Sequence, residues 1–433
     1  MIEAFVLRNV LSFRDEVVLS FIADEGVGGG ASSYCVEAAH GIRLLRLALL
    51  FGGNASGKTN VLVALHFLLQ FMASSSEGES NNLSKGIALE PFILDEVSRE
   101  QESRLELYFH PRNSTGGYSR YRYELIFIKE GVLSERLWVY RTSRPSLLYD
   151  RGNGEIRFGS ALGAIPRAVR DELKVKTLRN MSVLAAYAQV NFANPDLERV
   201  VGWAVSYLAS SNPHPQSIRD MAQYLWDNKD LIPRLVERMR FADFNISDIR
   251  PEVQEVDIEV PLPFDDILNK ESEGRGSGAP PVRTIRKRMV RLLFEHEVQV
   301  DGELRKRWLN AHMESAGTLG LLNLFLKVAF AFEVHGCILA DEIEQSLHPT
   351  LLEDFLDHFL YAESDSQLIA STHLDSLLHY VDAIIRRDSI WFTEKDEEGV
   401  SDLYSLMVIK GLANISDFRK AYRDGLLGGV AYV

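Results

Sequence analysis

Cysteine is nearly absent from this chain, which has two cysteines among its 433 residues. Cys35 and Cys337 lie far apart and match neither a disulfide framework nor the paired spacing of a zinc site. Cys337 stands in an apolar run, where we expect it to be a small core residue. The sequence therefore excludes a disulfide-stapled scaffold and favours a protein of a reducing compartment.

Positive charge is also scarce. The 47 Lys and Arg residues are outnumbered by 61 Asp and Glu residues, which gives a net charge of −14. This balance argues against a broad nucleic-acid-binding surface. No apolar run reaches the roughly 18 residues of a membrane span, since the longest, Leu319–Val334, is interrupted by Asn323 and Lys327. The first residues lack the layout of a signal peptide, and we expect a cytoplasmic protein without a membrane segment.

Several familiar catalytic signatures are missing as well. The chain has no His-Glu-x-x-His zinc motif and no Gly-x-Ser-x-Gly nucleophile elbow. The stretch after His373 is too short for a separate catalytic domain. The nearest approach to a nuclease cluster is Asp257, Glu259, Asp265 and Asp266, which we interpret as solvated acids. We therefore expect no effector chemistry in this chain.

The chain does contain a glycine-rich loop between a predicted strand and a predicted helix. Eight residues fit the pattern G-x-x-x-x-G-K-[ST]: Gly52, Gly53, Asn54, Ala55, Ser56, Gly57, Lys58 and Thr59. The apolar run Leu44–Phe51 predicts a buried strand before the loop, and helical spacing over Asn60–Met72 predicts a helix after it. The backbone N–H groups of such a loop cradle phosphates. Lys58 then reaches the β- and γ-phosphates, and the Thr59 hydroxyl ligates Mg²⁺.

Turnover of a nucleotide needs a second group of residues, for which the run Cys337–Ala340 followed by two acids is the candidate. In a phosphate-loop core, a strand of this kind places its terminal Asp341 beside the Mg²⁺ that Thr59 holds. The adjacent Glu342 is then positioned to orient and deprotonate water.

Two further motifs remain open to two interpretations each. His373 follows an apolar strand, where it either contacts the γ-phosphate or is a structural histidine. A short polar motif precedes the apolar helix Leu319–Val334 and is either a helix cap or a set of donors to a phosphate. The motif consists of Ser315, Ala316, Gly317 and Thr318.

The basic cluster Arg283–Arg291 is the only one noticeable in this acidic chain. It could contact nucleic acid or an acidic partner. We favour a solvated face balanced by neighbouring carboxylates, because the overall charge is negative.

The order of the motifs resembles that of ATPase heads of the ABC and SMC type. The motifs are, in sequence, GGNASGKTN, ESAGT, ILADE, EQSLHP and ASTH. Within that group the chain is similar to the "AAA family" ATPases of bacterial anti-phage systems. These are the AbiL/RloA-type abortive-infection proteins, with relatives in the PARIS ATPase and the OLD nucleases. The likeness covers both ends of the chain and covers the middle, about 141–291, poorly.

The resemblance implies ATP and Mg²⁺ as cofactors, with residues 52–60, including Asn60, around the nucleotide. It also implies that Ser315–Thr318 is an ABC signature that completes the site of another subunit. Ser346–His348 would be the D-loop, and His373 the switch histidine. The signature departs from the usual LSGGQ, and Gln189 is only a candidate for the Q-loop glutamine.

We predict an α/β fold, namely a P-loop NTPase of the ABC/SMC-head type with a preceding antiparallel β element and a partly helical insertion. The predicted segments are 1–140 (first half of the head), 141–291 (mixed or helical insertion) and 292–433 (second half).

The predicted function is that of an ATP-hydrolysing sensor or regulator in an anti-phage, abortive-infection system. The protein would act as a homodimer or higher oligomer on a separate effector, a nuclease or a toxin. The alternatives are an SMC- or OLD-like DNA-binding or DNA-repair ATPase that uses Arg283–Arg291, and a nucleotide-binding scaffold that hydrolyses slowly.

Overall fold

The structure is a computed structural model that describes residues 1–27, 34–74, 86–212, 217–241, 245–261, 282–345, 347–412 and 415–428. Its strands are β1 (Ile2–Arg8), β2 (Val17–Ser20), β3 (Cys35–Glu37), β4 (Arg43–Leu45), β5 (Leu47–Gly52), β6 (Ser103–Phe109), β7 (Arg120–Ile128), β8 (Gly131–Tyr140), β9 (Pro145–Gly152), β10 (Glu155–Phe158), β11 (Ile246–Pro261), β12 (Val282–Val300), β13 (Glu303–Asn310), β14 (Cys337–Ala340), β15 (Gln367–Ser371), β16 (Ile390–Lys395) and β17 (Ser401–Ser405). Its α-helices are α1 (Lys58–Ala73), α2 (Glu96–Glu100), α3 (Arg167–Lys176), α4 (Val183–Tyr187), α5 (Pro195–Ser210), α6 (Ile218–Asp227), α7 (Ile232–Phe241), α8 (Ala316–Val334), α9 (Pro349–Tyr361) and α10 (Phe418–Arg423).

The chain divides into two compact units. The first combines Met1–His214 with Lys327–Val433, and the second is Pro215–Leu326. These units differ from the predicted segments 1–140, 141–291 and 292–433. The difference arises because β8, β9 and β10 continue the sheet that β1 and β2 begin, and because α5 packs against α1.

A five-stranded sheet of the first unit carries the glycine-rich loop. Its strand order is β14-β15-β5-β16-β17, in which the first four strands run parallel and β17 is antiparallel to β16. The carboxyl ends of parallel strands meet at one edge of a sheet, where ligands of open α/β folds bind. The segments that follow β5, β14, β15 and β16 therefore share that edge. The fold is the predicted α/β fold of a P-loop NTPase.

The strand predicted over Leu44–Phe51 is divided in two at Arg46. The Arg46 side chain is fully buried, and its guanidinium donates to the carbonyl oxygens of Phe359, Leu360 and Ala362 at the end of α9. A cation at a helix C-terminus satisfies carbonyls that have no partner within the helix. Burial lowers the pKa of Arg46 to about 10. Arg46 thus anchors α9 beside the parallel sheet.

The first unit also contains the two-stranded sheet β3-β4 and a seven-stranded antiparallel sheet with the order β10-β9-β8-β7-β6-β1-β2. The antiparallel element predicted at the start of the chain is confirmed as β1 and β2, which are two strands of this larger sheet. Helix α1 contributes buried residues to the same hydrophobic core as both sheets. The second unit contains the three-stranded antiparallel sheet β11-β12-β13, on which α6 and α7 pack.

Helix α8 is long and apolar enough to cross a membrane when judged by length and composition alone. More than half of its most apolar window is buried in the protein. Its polar residues Thr318, Asn323 and Lys327 are buried too, and the Lys327 ammonium group donates to the Asn212 carbonyl at 2.9 Å. These features are those of a core helix in a globular protein.

Candidate functional site

The glycine-rich loop joins β5 to α1 through backbone conformations that only glycine adopts easily. Gly52 has a φ of 155° and Gly57 a φ of 117°. A Cβ on Gly52 would lie 2.4 Å from the Thr393 hydroxyl oxygen, and one on Gly57 would lie 2.7 Å from that of Ser401. The loop therefore requires glycine at both positions, for its backbone angles and for the close approach of β16 and β17.

Lys58 is the first residue of α1, and its side chain folds back over the loop. Its ammonium group donates to the carbonyl oxygens of Gly52 and Gly53, each at 2.8 Å. Burial lowers the pKa of Lys58 to about 8, although the carboxylates of Asp341, Glu344 and Glu342 act in the opposite direction. A buried cation at the start of a helix is suited to bind an anion.

Thr59, at the start of α1, and Asp341, just after β14, meet at the carboxyl edge of the sheet, where β15 lies between β5 and β14. The Thr59 hydroxyl lies 2.9 and 3.1 Å from the two carboxylate oxygens of Asp341. Ser371, at the end of β15, donates from its hydroxyl to the same carboxylate at 2.5 Å. The backbone N–H of Glu342 donates to the Ser371 hydroxyl at 2.7 Å. Ser371 thus orients the acidic pair, a role that the sequence analysis did not assign to it.

The donors in this cluster fit Mg²⁺, which prefers oxygen ligands and is usually held by one or two carboxylates together with substrate phosphates. One hydroxyl and one carboxylate already converge at Thr59 and Asp341. Among the described residues there is no group of three or more His, Cys, Asp or Glu side chains that could hold a metal alone. The phosphates of a nucleotide would supply the remaining ligands.

Glu342 and His373 lie beside this cluster. Glu342 has a left-handed backbone with a φ of 48°, an uncommon conformation for a residue other than glycine. Its carboxylate lies 3.9 Å from Nε2 of His373. The His373 backbone N–H donates to the Glu344 carboxylate at 2.5 Å, which ties the end of β15 to the segment after β14.

A cleft of about 530 Å³ collects the predicted nucleotide residues of the first unit. Its lining consists of Asn54, Ala55, Ser56, Gly57, Lys58, Thr59, Asn60, Asp341, Glu342, His373 and Lys395. Gly52 and Gly53 form the base of the loop through their contacts with Lys58. Lys395 was not predicted from the sequence, because a lone lysine in an acidic run resembles part of a solvated loop.

Hydroxyl groups from other segments of the chain form hydrogen bonds around the glycine-rich loop. The hydroxyls of Ser56 and Thr393 lie 2.5 Å apart. Ser12 accepts hydrogen bonds from the Asn60 amide at 2.7 Å and from the Ser401 hydroxyl at 2.8 Å. The segment after β1 and the hairpin of β16 and β17 therefore fix the loop, although neither matches a phosphate-loop motif.

The predicted signature residues belong to the second unit. Ser315 caps α8, since its hydroxyl oxygen accepts the Thr318 N–H at 3.0 Å and lies 2.8 Å from the Thr318 hydroxyl. This geometry agrees with the cap interpretation, and a role of Ser315, Ala316, Gly317 and Thr318 towards a neighbouring subunit stays a prediction.

Other residues that the resemblance implied have ordinary surroundings. His348 caps α9 through a 3.4 Å contact with the Thr350 N–H, and Ser346 lies outside the described residues. Gln189 lies in an exposed turn, where its carbonyl accepts from Lys176, and it does not line the cleft.

The basic cluster Arg283–Arg291 lies on β12 opposite acids of β11. Arg286 lies 3.8 Å from Glu255, and Arg291 lies 2.5 Å from Glu252. This pairing agrees with the interpretation as a balanced, solvated face. Of the four acids considered for a nuclease, Asp265 and Asp266 lie outside the described residues, as do the side chains of Asp257 and Glu259.

Comparison with known proteins places this geometry in a family. Three SMC head structures are similar in part: one bound to the C-winged helix domain of ScpA (14% identity, 96% of this chain and 99% of that chain, TM-score 0.41), one from Thermotoga maritima (14%, 93% and 98%, 0.36), and one with a coiled coil and joint from Pyrococcus yayanosii (11%, 98% and 99%, 0.41). No curated protein matches the chain in sequence. Residues 47–379 match the family described as "AAA domain, putative AbiEii toxin, Type IV TA system". This match spans the glycine-rich loop, the acidic pair and His373, and the chain belongs to this AAA domain family.

Proposed function

We propose that this chain binds ATP with Mg²⁺ in the cleft at the carboxyl edge of the parallel sheet and hydrolyses it. The observation that carries the proposal is the convergence of Lys58, Thr59 and Asp341, with 2.9 Å between the Thr59 hydroxyl and the nearer Asp341 oxygen. The residues come from two strand ends that the sequence separates widely. The family match supports the same chemistry.

Each side chain has a role that its position supports. Lys58 exchanges its two loop carbonyls for phosphate oxygens, and Thr59 and Asp341 hold the metal ion. Mg²⁺, when bound, neutralises charge on the phosphates. Glu342 has an exposed carboxylate, which can accept a proton from water. His373 lies close enough to Glu342 to hydrogen-bond the same water or the γ-phosphate.

The protein acts as a homodimer or higher homo-oligomer in this proposal. The polar sequence Ser315–Thr318 at the start of α8 would contact the phosphates bound by a neighbouring copy. SMC head structures have been solved bound to domains of ScpA, a partner protein. By analogy, a separate protein would bind the present chain.

The wider role that we propose is regulation of a separate effector in anti-phage defence by abortive infection. The family description, which names a toxin and a type IV toxin–antitoxin system, supports this role. The effector would be a nuclease or a toxin. An SMC- or OLD-like DNA-binding function through Arg283–Arg291 is less favoured, because Arg286 and Arg291 already lie beside carboxylates.

The metal role is tested by measuring ATP turnover against Mg²⁺ concentration. Asp341→Asn should require much more Mg²⁺ for half-maximal turnover, because one charged ligand is lost. Asp424→Asn is a matched control, since Asp424 is exposed and does not line the cleft. An unchanged Mg²⁺ requirement in Asp341→Asn would refute this assignment.

The effector role is tested by incubating the pure protein with ATP, Mg²⁺ and DNA, RNA or tRNA. We expect no cleavage by the chain alone, and cleavage or toxicity once the protein that co-purifies with it is added. Cleavage by the chain alone that disappears in a variant with Asp265→Asn and Asp266→Asn would place the effector chemistry within this chain.

A further inference from the structure

Lys395 is the last residue of β16 and lines the nucleotide cleft. Strand β16 pairs with β5 in parallel, with Thr393 opposite Gly52. In the strand order β14-β15-β5-β16, β16 lies on the other side of β5 from β15 and β14. Asp341, Glu342 and His373 therefore approach the loop from one side, and Lys395 approaches it from the other.

The pairing of the hairpin turns the Lys395 side chain towards the loop. Lys395 lies directly opposite Ser401 in the antiparallel pair of β16 and β17, so the two side chains are on the same face. The Ser401 hydroxyl is the atom that a Cβ on Gly57 would meet at 2.7 Å. Thr393, two residues earlier on the same face, contacts the Ser56 hydroxyl.

Lys395 has no ion-pair or hydrogen-bond partner for its ammonium group among the described residues, although acidic residues flank it in sequence. Two of those acids are engaged elsewhere. Asp396 accepts the Val400 N–H at 2.8 Å, and Glu398 pairs with Arg14 at 2.7 Å. The ammonium group is thus available to a ligand of the cleft.

We propose that Lys395 is a second phosphate-binding lysine, which contacts the polyphosphate of a nucleoside triphosphate from the β16 side. The inference rests on the proposed nucleotide binding and extends it. The acids Asp341 and Glu342 place negative charge on one side of the phosphates, and Lys58 is held within the loop. A cation from β16 neutralises negative charge on the phosphate oxygens that face away from the metal side.

Calorimetric titration of the full chain with ATP and with ADP, in the presence of Mg²⁺, tests the proposal. Lys395→Met should weaken the binding of both nucleotides by about tenfold or more, the usual effect of losing a charged hydrogen bond. Lys395→Arg should retain most of the affinity, because it keeps the charge. Lys410→Met, which removes an exposed lysine that does not line the cleft, is the matched control.

The outcomes separate this inference from the proposed function. If the wild type binds ATP and Lys395→Met binds it within about twofold of the wild type, the role of Lys395 is refuted and nucleotide binding stands. If Lys395→Met and Lys410→Met weaken binding equally, the effect is one of overall charge and the proposal is again wrong. If the wild type binds no nucleotide, the proposed function fails, and this inference fails with it.

Discussion

Single residues determine the shape of the glycine-rich loop, as the close contacts around Gly57 illustrate. Gly57→Ala places a methyl group against Ser401 at a φ that alanine rarely adopts. Gly163 also has a positive φ, of 78°, but a Cβ there meets no atom within 4 Å. Gly163→Ala should therefore lose about 1 kcal/mol of unfolding free energy. Gly57→Ala should lose more unfolding free energy, measured by urea denaturation, and should bind ATP weakly. Equal losses of unfolding free energy in the two variants would contradict a steric conflict between residue 57 and Ser401.

The lowered pKa of Lys58 predicts a pH dependence of ATP binding. In the free protein this pKa is about 8 instead of 10.5, because burial disfavours the charged form. At pH values between about 8 and 10.5, Lys58 is protonated to a greater extent in the unfolded chain than in the folded one. Its contribution to the free energy of unfolding therefore rises with pH. The affinity for phosphate changes with pH in the opposite direction, because phosphate binding needs the charged lysine.

The affinity for ATP should accordingly fall as pH rises above about 8, by up to about tenfold per pH unit. Calorimetry from about pH 7.5 to about pH 9.5 measures this directly. A constant affinity over that range would mean that Lys58 stays charged in the free protein or does not contact the phosphates.

Sequence motifs predicted a site formed by residues of the glycine-rich loop and of the acidic strand end. The structure brings Lys58, Thr59 and Asp341 together as the motif order predicted. Ser371 and Lys395 escaped prediction for a physical reason. Their roles depend on which strands lie beside β5, and nothing local in a sequence reports the order of strands in a sheet.

At the scale of secondary-structure elements, a buried carboxylate connects the start of α4 to the seven-stranded antiparallel sheet. Glu135 of β8 is fully buried and accepts hydrogen bonds from the Val183 N–H at the start of α4 and from the Tyr123 and Tyr149 hydroxyls. Arg151 lies 3.3 Å from it. Burial raises the pKa of Glu135, while Arg151 and the hydrogen bonds oppose that shift.

Glu135→Gln should destabilise the protein by about 3–5 kcal/mol, because it leaves the buried Arg151 without its counter-ion. Tyr149→Phe removes one hydrogen bond from the same carboxylate and should cost about 1 kcal/mol. Urea denaturation followed by tryptophan fluorescence measures both. A loss in Glu135→Gln no larger than that in Tyr149→Phe would show that the ion pair does not stabilise the fold.

The elements that the sequence predicted best have an uninterrupted hydrophobic period. The helix predicted over Asn60–Met72 is α1, and the predicted strand Cys337–Ala340 is β14. The strand predicted over Leu44–Phe51 is broken because Arg46 turns inward to carbonyls of α9. That contact joins positions that are more than 300 residues apart in the chain, so the local hydrophobic periodicity cannot indicate it.

At the scale of the whole molecule, the proposed sharing of sites between copies makes a quantitative prediction. Lys58→Ala disables the loop of its own copy, and Ser315→Arg disables what that copy supplies to its neighbour. In an equal mixture of the two variants, half of the dimers are mixed, and each mixed dimer retains one intact site of two.

About a quarter of the wild-type ATPase activity should therefore return on mixing, if the dimer is symmetric and its sites are independent. Each variant alone should be nearly inactive. Activity that stays at the level of the single variants after full subunit exchange would contradict shared sites and indicate that each copy is self-contained.

The division of the chain into units was the part of the architecture least accessible from the sequence. The seven-stranded sheet joins strands from the first residues of the chain with strands as late as β10. The second unit contains Pro215–Leu326, and the first resumes at Lys327, within α8. A boundary inside a continuous apolar helix leaves no change of composition or periodicity to detect.

ATP turnover by Glu342→Gln, measured beside ATP binding, is the most direct test of the central claim that this cleft hydrolyses ATP. The variant should bind ATP with Mg²⁺ as tightly as the wild type, because Lys58, Thr59 and Asp341 are unchanged. Its turnover should fall by about a hundredfold or more, the usual contribution of a general base. Turnover at the wild-type rate would contradict the assignment of Glu342, and an absence of turnover in the wild type would contradict hydrolysis itself.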